Sequence, residues 1–501
     1  MLPMLSLASP DDTRLFAEDI AAVLAPGDVL ALKGDLGAGK TTFARAVIRA
    51  LSDMDDLEVP SPTFTLEQSY ETPRGIVHHY DFYRLETEEE AEELGVAAAS
   101  EDGIVLIEWP DRAPDHADTA ALWITLEPVG ETGRTVTLDT ARPERWRERL
   151  TRSRAIRSFL DANAHAGAYR RHLTGDASTR AYERIRNNDA RHVLMNAPER
   201  PDGPPIRDGL PYSRIAHLAE SVRPFVAIAG SLREKGYSAP EILAADIDAG
   251  LVLMEDLGDA AVVGPDGPIA ERYESAIDLL ADMHAGPWPE TAHLHDGSTY
   301  RLPVYDETAF LIEVELYPDW YVPHVTGSET PPAARAEFLD LWQDAIDRLH
   351  DAPLAWVLRD FHSPNLIWME GRTGVARIGL LDFQDALIGP AAYDVASLCQ
   401  DARVTVSETL ERALVDRYCT LRRSADAGFD REGFGRDYAV MAAQRATKIL
   451  GIFARLDKRD GKPNYLRHIP RLCAYLERCL AHPALSDIRA WYEDNAPPAA
   501  A

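Results

Sequence analysis

The stretch GDLGAGKTT, Gly34 to Thr42, has the residue types that grip the phosphates of a nucleotide. Gly34, Gly37 and Gly39 let the backbone curl, so that N–H groups around Asp35 and Ala38 face phosphate oxygens. Lys40 reaches the β- and γ-phosphates and the Thr41 hydroxyl ligates Mg2+. A helix opening at Lys40–Thr42 adds its positive N-terminal end. Such a loop needs a second carboxylate at the end of a neighbouring strand to organise the metal, and Glu108 closes the apolar run GIVLIEW. The alternative for Glu108 is an acid that only caps a strand end. Between loop and acid lie SPTFTLEQSY, Ser61 to Tyr70, and HYDFYRL, His79 to Leu85. The first suits a segment that orders around a γ-phosphate. The second sets His79, Asp81, Tyr83 and Arg84 in alternation on one strand face, which is costly unless that face lines a site.

A second set lies far downstream. LRDFHSPNLIW places Asp360 and Asn365 five residues apart, and GLLDFQD then supplies Asp382. Phosphoryl transfer has a loose transition state, so the protein must align an acceptor hydroxyl and clamp Mg2+ on the β- and γ-oxygens. Asp360 suits the base or hydroxyl-orienting role, and Asn365 and Asp382 suit the metal. The spacing Asp-x4-Asn is weak evidence by itself; the flanking VLRD, ARIGLLDFQD and PAAYDVASL strengthen it.

The apolar pattern gives the elements that must position these residues. VLALK, GIVLIEW and ALWITLE alternate with helical stretches, as in a small α/β sheet. ARPERWRERLTRSRAIRSFL is strongly charged and reads as an exposed helical connector or as the first helix of the downstream domain. The expected division is residues 1–150 for a P-loop sheet domain and 151–501 for a kinase-like part. The latter has a small β lobe over about 155–257 and a large helical lobe over about 258–495. In the small lobe, TGDASTRAYERI suits the turn over the phosphates, RHVLMN the third strand, and LVLMEDLG the hinge, where backbone near Glu255 meets adenine. Met195 falls where kinases usually carry a lysine, so either the strand register differs or an arginine does the job, with Arg180 the candidate. The fold class is therefore α/β, a P-loop NTPase sheet domain followed by a bilobal protein-kinase-like α+β domain.

Composition bounds the rest. A formal net charge of −30 argues against a broad basic surface that grips nucleic acid. Cys399, Cys419, Cys473 and Cys479 form no CxxC pair, so buried reduced thiols are expected. No apolar run is long enough for a bilayer span, and a soluble cytoplasmic protein with no membrane partner is expected.

Two resemblances sharpen this reading. GDLGAGKTT, SPTFTL, HxDxYR and EWP together resemble the TsaE family of small ATPases in tRNA threonylcarbamoyladenosine (t6A) biosynthesis, over about residues 10–140. That resemblance implies ATP hydrolysis in concert with TsaB- and TsaD-type partners and an indirect connection to tRNA. It also implies that Asp81 and Glu108 organise metal and water, with Trp109 in a second switch. GDASTRAY, VLMNAP, LMEDLGD, LYPDWYV, RDFHSPNLIW, LDFQDALIGPAAYD and QRATKILGIFARLDKRDGKPNYL resemble the anomeric N-acetylmuramate/N-acetylglucosamine kinases (AmgK) of the aminoglycoside phosphotransferase group, over about 155–490. This second resemblance implies ATP- and Mg2+-dependent phosphorylation of an amino sugar at its C1 hydroxyl, in cell-wall recycling. Other acceptors (an aminoglycoside, choline, homoserine) and a non-catalytic ATP-binding sensor remain as alternatives. ELYPDWYV suits either a sugar-stacking platform or a core anchor, Asp394 is read as a structural acid, and Lys448 as a solvated or packing cation.

Overall fold

The apolar runs VLALK and IVLIE become central strands because helices cover both of their faces. The computed structural model describes residues 4–116, 121–173, 180–187, 190–199 and 203–496. The chain packs as two units, Met1–Ala197 with Ala244–Asp256, and Pro198–Leu243 with Leu257–Ala501.

In the first unit the elements run β1 Leu5–Leu7, α1 Pro10–Ala21, β2 Val29–Lys33, α2 Lys40–Ser52, β3 Glu67–Thr72, β4 Gly75–Asp81, α3 Glu88–Glu93, α4 Val96–Asp102, β5 Ile104–Glu108, β6 Leu122–Val129 and β7 Gly133–Thr140. The sheet has the order β1-β7-β6-β2-β5-β4-β3. Strand β2 runs parallel to β5 and β6, and β5 parallel to β4. Alternate residues serve opposite faces. Leu30, Leu32, Ile104 and Leu106 meet Phe43, Val47 and Ile48 of α2, whereas Ala31, Val105 and Ile107 meet Tyr80, Phe82, Ala91 and Val96.

The charged stretch after β7 is the helix α5, Pro143–Ala162, and the expected boundary near residue 150 falls inside it. Its buried residues, Trp146, Leu150, Ser153, Ile156 and Leu160, recur at helical spacing and form one face. Trp146 and Leu150 pack into the core of the first sheet. Ile156 and Leu160 pack with Ile185, Leu194, Leu251 and Leu253. These last belong to a second, five-stranded sheet built from β8 Tyr169–Leu173, β9 Ala181–Asn187, β10 Ala190–Asn196, and the strands Ile242–Asp246 and Leu251–Glu255. All its neighbours pair antiparallel where the register is defined, for example His192 opposite Glu255 and Met195 opposite Tyr182. Buried arginines tie β8 to the P-loop sheet's helices. Arg170 forks onto Glu183 at 2.7 and 2.8 Å and reaches Asp19 at 2.7 Å, while Arg171 reaches Glu18 at 3.2 Å.

The second unit is mainly helical. The thirty-residue helix Arg431–Asp460 packs against Ala392–Cys399, Ile469–Leu480 and the π-helical turn Tyr317–Tyr321. Two short antiparallel pairs frame the Asp360 loop: Leu354–Val357 with Leu387–Pro390, and Leu366–Trp368 with Ile378–Leu380. The four cysteines are buried and unpaired. Among the described residues no helix is long and apolar enough to cross a membrane.

Candidate active sites

The turn between β2 and α2 is possible only with glycine at its start. A Cβ on Gly34 would meet the Leu126 carbonyl oxygen at 2.5 Å, and Gly37 and Gly39 hold φ of 81° and 104°. The turn brings Lys40 back over itself: Nζ donates to the carbonyls of Gly34 and Asp35 at 2.7 and 3.0 Å and lies 3.6 Å from the Trp109 ring centroid. Burial pulls the Lys40 ammonium below its usual value, opposed by Glu108, Asp81 and Asp35. Trp109 is held at φ 59°, a strained position for a bulky residue directly after β5.

Asp81 and Glu108 end adjacent parallel strands in register. The Thr41 hydroxyl donates to Glu108 at 2.8 Å, and His79 Nε2 lies 3.0 Å from the other Glu108 oxygen. Asp81 accepts from Ser61 at 3.0 Å and Thr63 at 2.6 Å, so the Ser-Pro-Thr turn is moored to the strand bearing His79. Strand β4 stops at Asp81, so Tyr83 and Arg84 lie beyond the face they were expected to share. Tyr83 turns its ring toward Trp109, with centroids 5.0 Å apart, and Arg84 stacks on Phe64. Thr41, Asp81 and Glu108 present hard oxygen donors, which suit Mg2+. Asp35, Gly37 and Thr42 are exposed at the mouth and Ala38 is buried, its carbonyl accepting from Arg134 at 2.7 Å.

The small-lobe sheet carries Glu255 at the end of its strand. Met195 is buried, and Arg180 sits half-buried just before β9. Of the turn expected over the phosphates, Thr174 to Ile185, residues 174–179 lie outside the described residues, and Ala181 to Ile185 belong to strand β9.

In the second unit Arg359 is held at φ 67° and Asp382 at φ 55°. Asn365 Nδ2 donates to the Asp360 carbonyl at 2.9 Å, and the Asn365 carbonyl accepts from Leu381 N at 2.9 Å. These two bonds bring Asp360, Asn365 and Asp382 into one loop system. Gln384 steadies the Asp382 carboxylate at 2.9 Å. The loop is anchored from below by Asp394, which is fully buried and accepts from the backbone of Leu358 and Arg359 at 2.6 and 2.9 Å. Burial pushes the Asp394 carboxyl up to about 7, against the pull of those two N–H groups. Asp401 holds the other side through Ser363 N at 2.8 Å.

Sequence reasoning missed the group behind this loop. Glu313 is fully buried, pairs with Arg359, and lies 2.8 Å from Lys448, whose Nζ also reaches the Tyr393 hydroxyl at 3.0 Å. Burial alone would raise Glu313, but Lys448 and Arg359 hold it down at about 2. Of the two readings of Lys448, the packing cation holds and the solvated one does not. The signal was a lysine between the apolar residues of QRATKIL. The tyrosines of ELYPDWYV turn into the core: Tyr317 and Tyr321 are fully buried, and Tyr317 stacks on Phe338, meets Trp491 and Tyr492 edge-on and tilts against Tyr321.

A P-loop at a parallel sheet edge and an Asp-x4-Asn loop backed by a metal-type aspartate define a chain with two nucleotide-dependent catalytic modules. Residues 7–136 match the family described as threonylcarbamoyl adenosine biosynthesis protein TsaE, and residues 170–431 match the phosphotransferase enzyme family. The N-acetylmuramate/N-acetylglucosamine kinase of Caulobacter vibrioides is 40% identical over 358 residues, covering 69% of this chain and 97% of that one. Its Pseudomonas aeruginosa counterpart is 36% identical over 327 residues, covering 63% and 85%. The tRNA threonylcarbamoyladenosine biosynthesis protein TsaE of Rickettsia felis is 36% identical over 137 residues, covering 27% and 80%. The chain belongs to both families, a TsaE-type ATPase fused ahead of a phosphotransferase of the N-acetylmuramate/N-acetylglucosamine kinase type. It is an ATP-using enzyme, and its phosphotransferase half takes an alcohol acceptor.

Proposed function

We propose that the two halves run separate reactions. The first supports t6A modification of tRNA as an ATPase working with TsaB- and TsaD-type partners. The second phosphorylates the anomeric hydroxyl of N-acetylmuramate and N-acetylglucosamine in cell-wall recycling, and both act in the cytoplasm. The observation that carries the kinase reading is the 97% coverage of the Caulobacter vibrioides kinase at 40% identity, with Asp360, Asn365 and Asp382 assembled on one loop system.

In this reading Lys40, now held by the Gly34 and Asp35 carbonyls, would bind β- and γ-phosphate oxygens, and the Thr41 hydroxyl, now donating to Glu108, would help hold Mg2+. Glu108, fixed by His79, and Asp81, fixed to the Ser61–Thr63 turn, would hold the metal and orient the attacking water. In the second half Asp360 would align the sugar hydroxyl and take its proton, while Asn365 and Asp382 would hold Mg2+. Bound Mg2+ supplies charge neutralisation on the β- and γ-oxygens. The test is NMR of the product from the full chain with ATP, Mg2+ and N-acetylmuramate. Phosphorus coupling at C1 is expected; coupling at C6 overturns the anomeric assignment, and no phosphorylated product overturns the kinase reading.

A further inference from the structure

In GLLDFQD a glutamine stands two residues after the metal-type aspartate, and the turn fixes where its side chain goes. Phe383 is buried and lies flat on Phe225, with ring centroids 4.7 Å apart and planes 5° from parallel. Asp385 accepts from Ala219 N at 2.6 Å, and Ala386 N closes back on the Phe383 carbonyl at 3.1 Å. With both neighbours held, Gln384 does not swing out to water, and it is 2% exposed. Asp382 itself sits at φ 55°, a sparsely populated conformation that the surrounding turn maintains.

The Gln384 amide faces two ways. A carboxylate only accepts hydrogen bonds, so the amide atom 2.9 Å from Asp382 Oδ1 is the donor, Nε2. The same nitrogen lies 3.5 Å from the Asp382 carbonyl oxygen. The other amide atom, Oε1, is buried and has no hydrogen-bond partner among the described residues. By the bond lengths of an amide, Oε1 lies within about 5.5 Å of Asp382 Oδ1. A buried carbonyl oxygen without a donor is costly, so its retention needs an explanation. Beside an aspartate suited to Mg2+, the donors at hand are the waters that this cation keeps when protein carboxylates bind it.

We propose that Gln384 is a positioning residue of the phosphotransferase metal site: its N–H group sets the Asp382 carboxylate, and its Oε1 accepts a hydrogen bond from a water on the Mg2+ held there. This deepens the kinase reading and rests on it. Outer contacts of this kind orient the ligands and tune the affinity for the metal without touching the reacting atoms. Because Mg2+ gives up its waters reluctantly, a fixed acceptor for one of them favours the hydrated ion at this site.

The experiment measures metal binding and metal dependence in the full chain, with Lys40→Ala present to weaken the first nucleotide site. Mn2+ is titrated in the presence of ADP and followed by water-proton relaxation, and the Mg2+ requirement of sugar phosphorylation is read separately. Gln384→Met keeps the length of the side chain but removes both hydrogen bonds. It is expected to lose about 10- to 100-fold in Mn2+ affinity, the usual effect of an outer contact on a bound metal. The Mg2+ concentration for half-maximal rate should rise in step, while kcat at saturating Mg2+ stays within about threefold of the parent chain. Gln384→Asn, whose shorter amide does not span both contacts, should shift both readings in the same direction. A folded variant with the parent's metal affinity overturns the Gln384 assignment and leaves the kinase reading standing. So does a kcat that falls while the metal requirement stays unchanged, or unfolding of both variants. Metal binding that weakens as expected in a chain that phosphorylates neither sugar supports Gln384 and sinks the sugar reading. A folded parent chain that binds no Mn2+ with ADP sinks both.

Discussion

Lys40 and Glu313 each carry a charge the fold holds under constraint, and the constraints differ. Lys40 is held by two loop carbonyls and an indole face, partners that a phosphate readily replaces. Lys40→Ala should weaken ATP binding to the first site by about 10- to 100-fold, by calorimetry on a variant in which the second site is silenced by Asp382→Asn. Glu313 is held by permanent partners, and its folded value of about 2 lies below the ordinary 4.5. A lowered carboxylate contributes stability that is fully present above its unfolded value and is lost as pH falls through the folded one. The second unit should therefore lose stability between about pH 4.5 and 2, and Glu313→Gln should flatten that limb in an acid-unfolding titration. An unchanged acid limb in the variant would remove Glu313 as its source.

Helix α5 shows what an element can hide. Its surface is dominated by arginines and glutamates, so the sequence reads as an exposed connector or as the first helix of the downstream domain, yet one narrow face plugs two cores. Trp146→Ala should cost roughly 3–5 kcal/mol, seen as a lower Tm in the first unit, because a fully buried indole leaves a cavity the rigid sheet cannot collapse. A Tm like that of wild type would mean α5 is the loose tether its composition suggests. The P-loop and the Asp-x4-Asn loop were legible in the sequence because phosphate chemistry demands neighbours in the chain: Gly34 to Thr42, and Asp360 to Asn365. The partners that tune them were not. Lys448 meets Glu313 across 135 residues and His79 meets Glu108 across 29, and no local pattern encodes such pairs. The end of β4 at Asp81 was also missed, since Phe82 and Tyr83 are as strand-prone as the residues before them.

At the scale of the chain, the proposed function has two catalytic modules that each use their own ATP. The P-loop sheet and the small-lobe sheet share α5 and the Arg170–Asp19 contact, so independence is a chemical claim and not a matter of mere separation. Lys40 is held by P-loop carbonyls and Trp109, whereas the Asp360 carbonyl accepts from Asn365 and its carboxylate lies 3.9 Å from His362 Nε2, both residues of its own loop. The most direct measurement is therefore a crossed pair of variants in the full chain. Sugar phosphorylation is read by NMR, and the first site by rescue of cells lacking their own t6A ATPase. Asp360→Asn should lower sugar phosphorylation by about 10²–10⁴-fold while still rescuing, the usual worth of a positioned proton acceptor. Lys40→Ala should abolish rescue and leave sugar phosphorylation near wild type. A folded Lys40→Ala variant whose sugar-phosphate output falls in step with its loss of rescue would contradict the account.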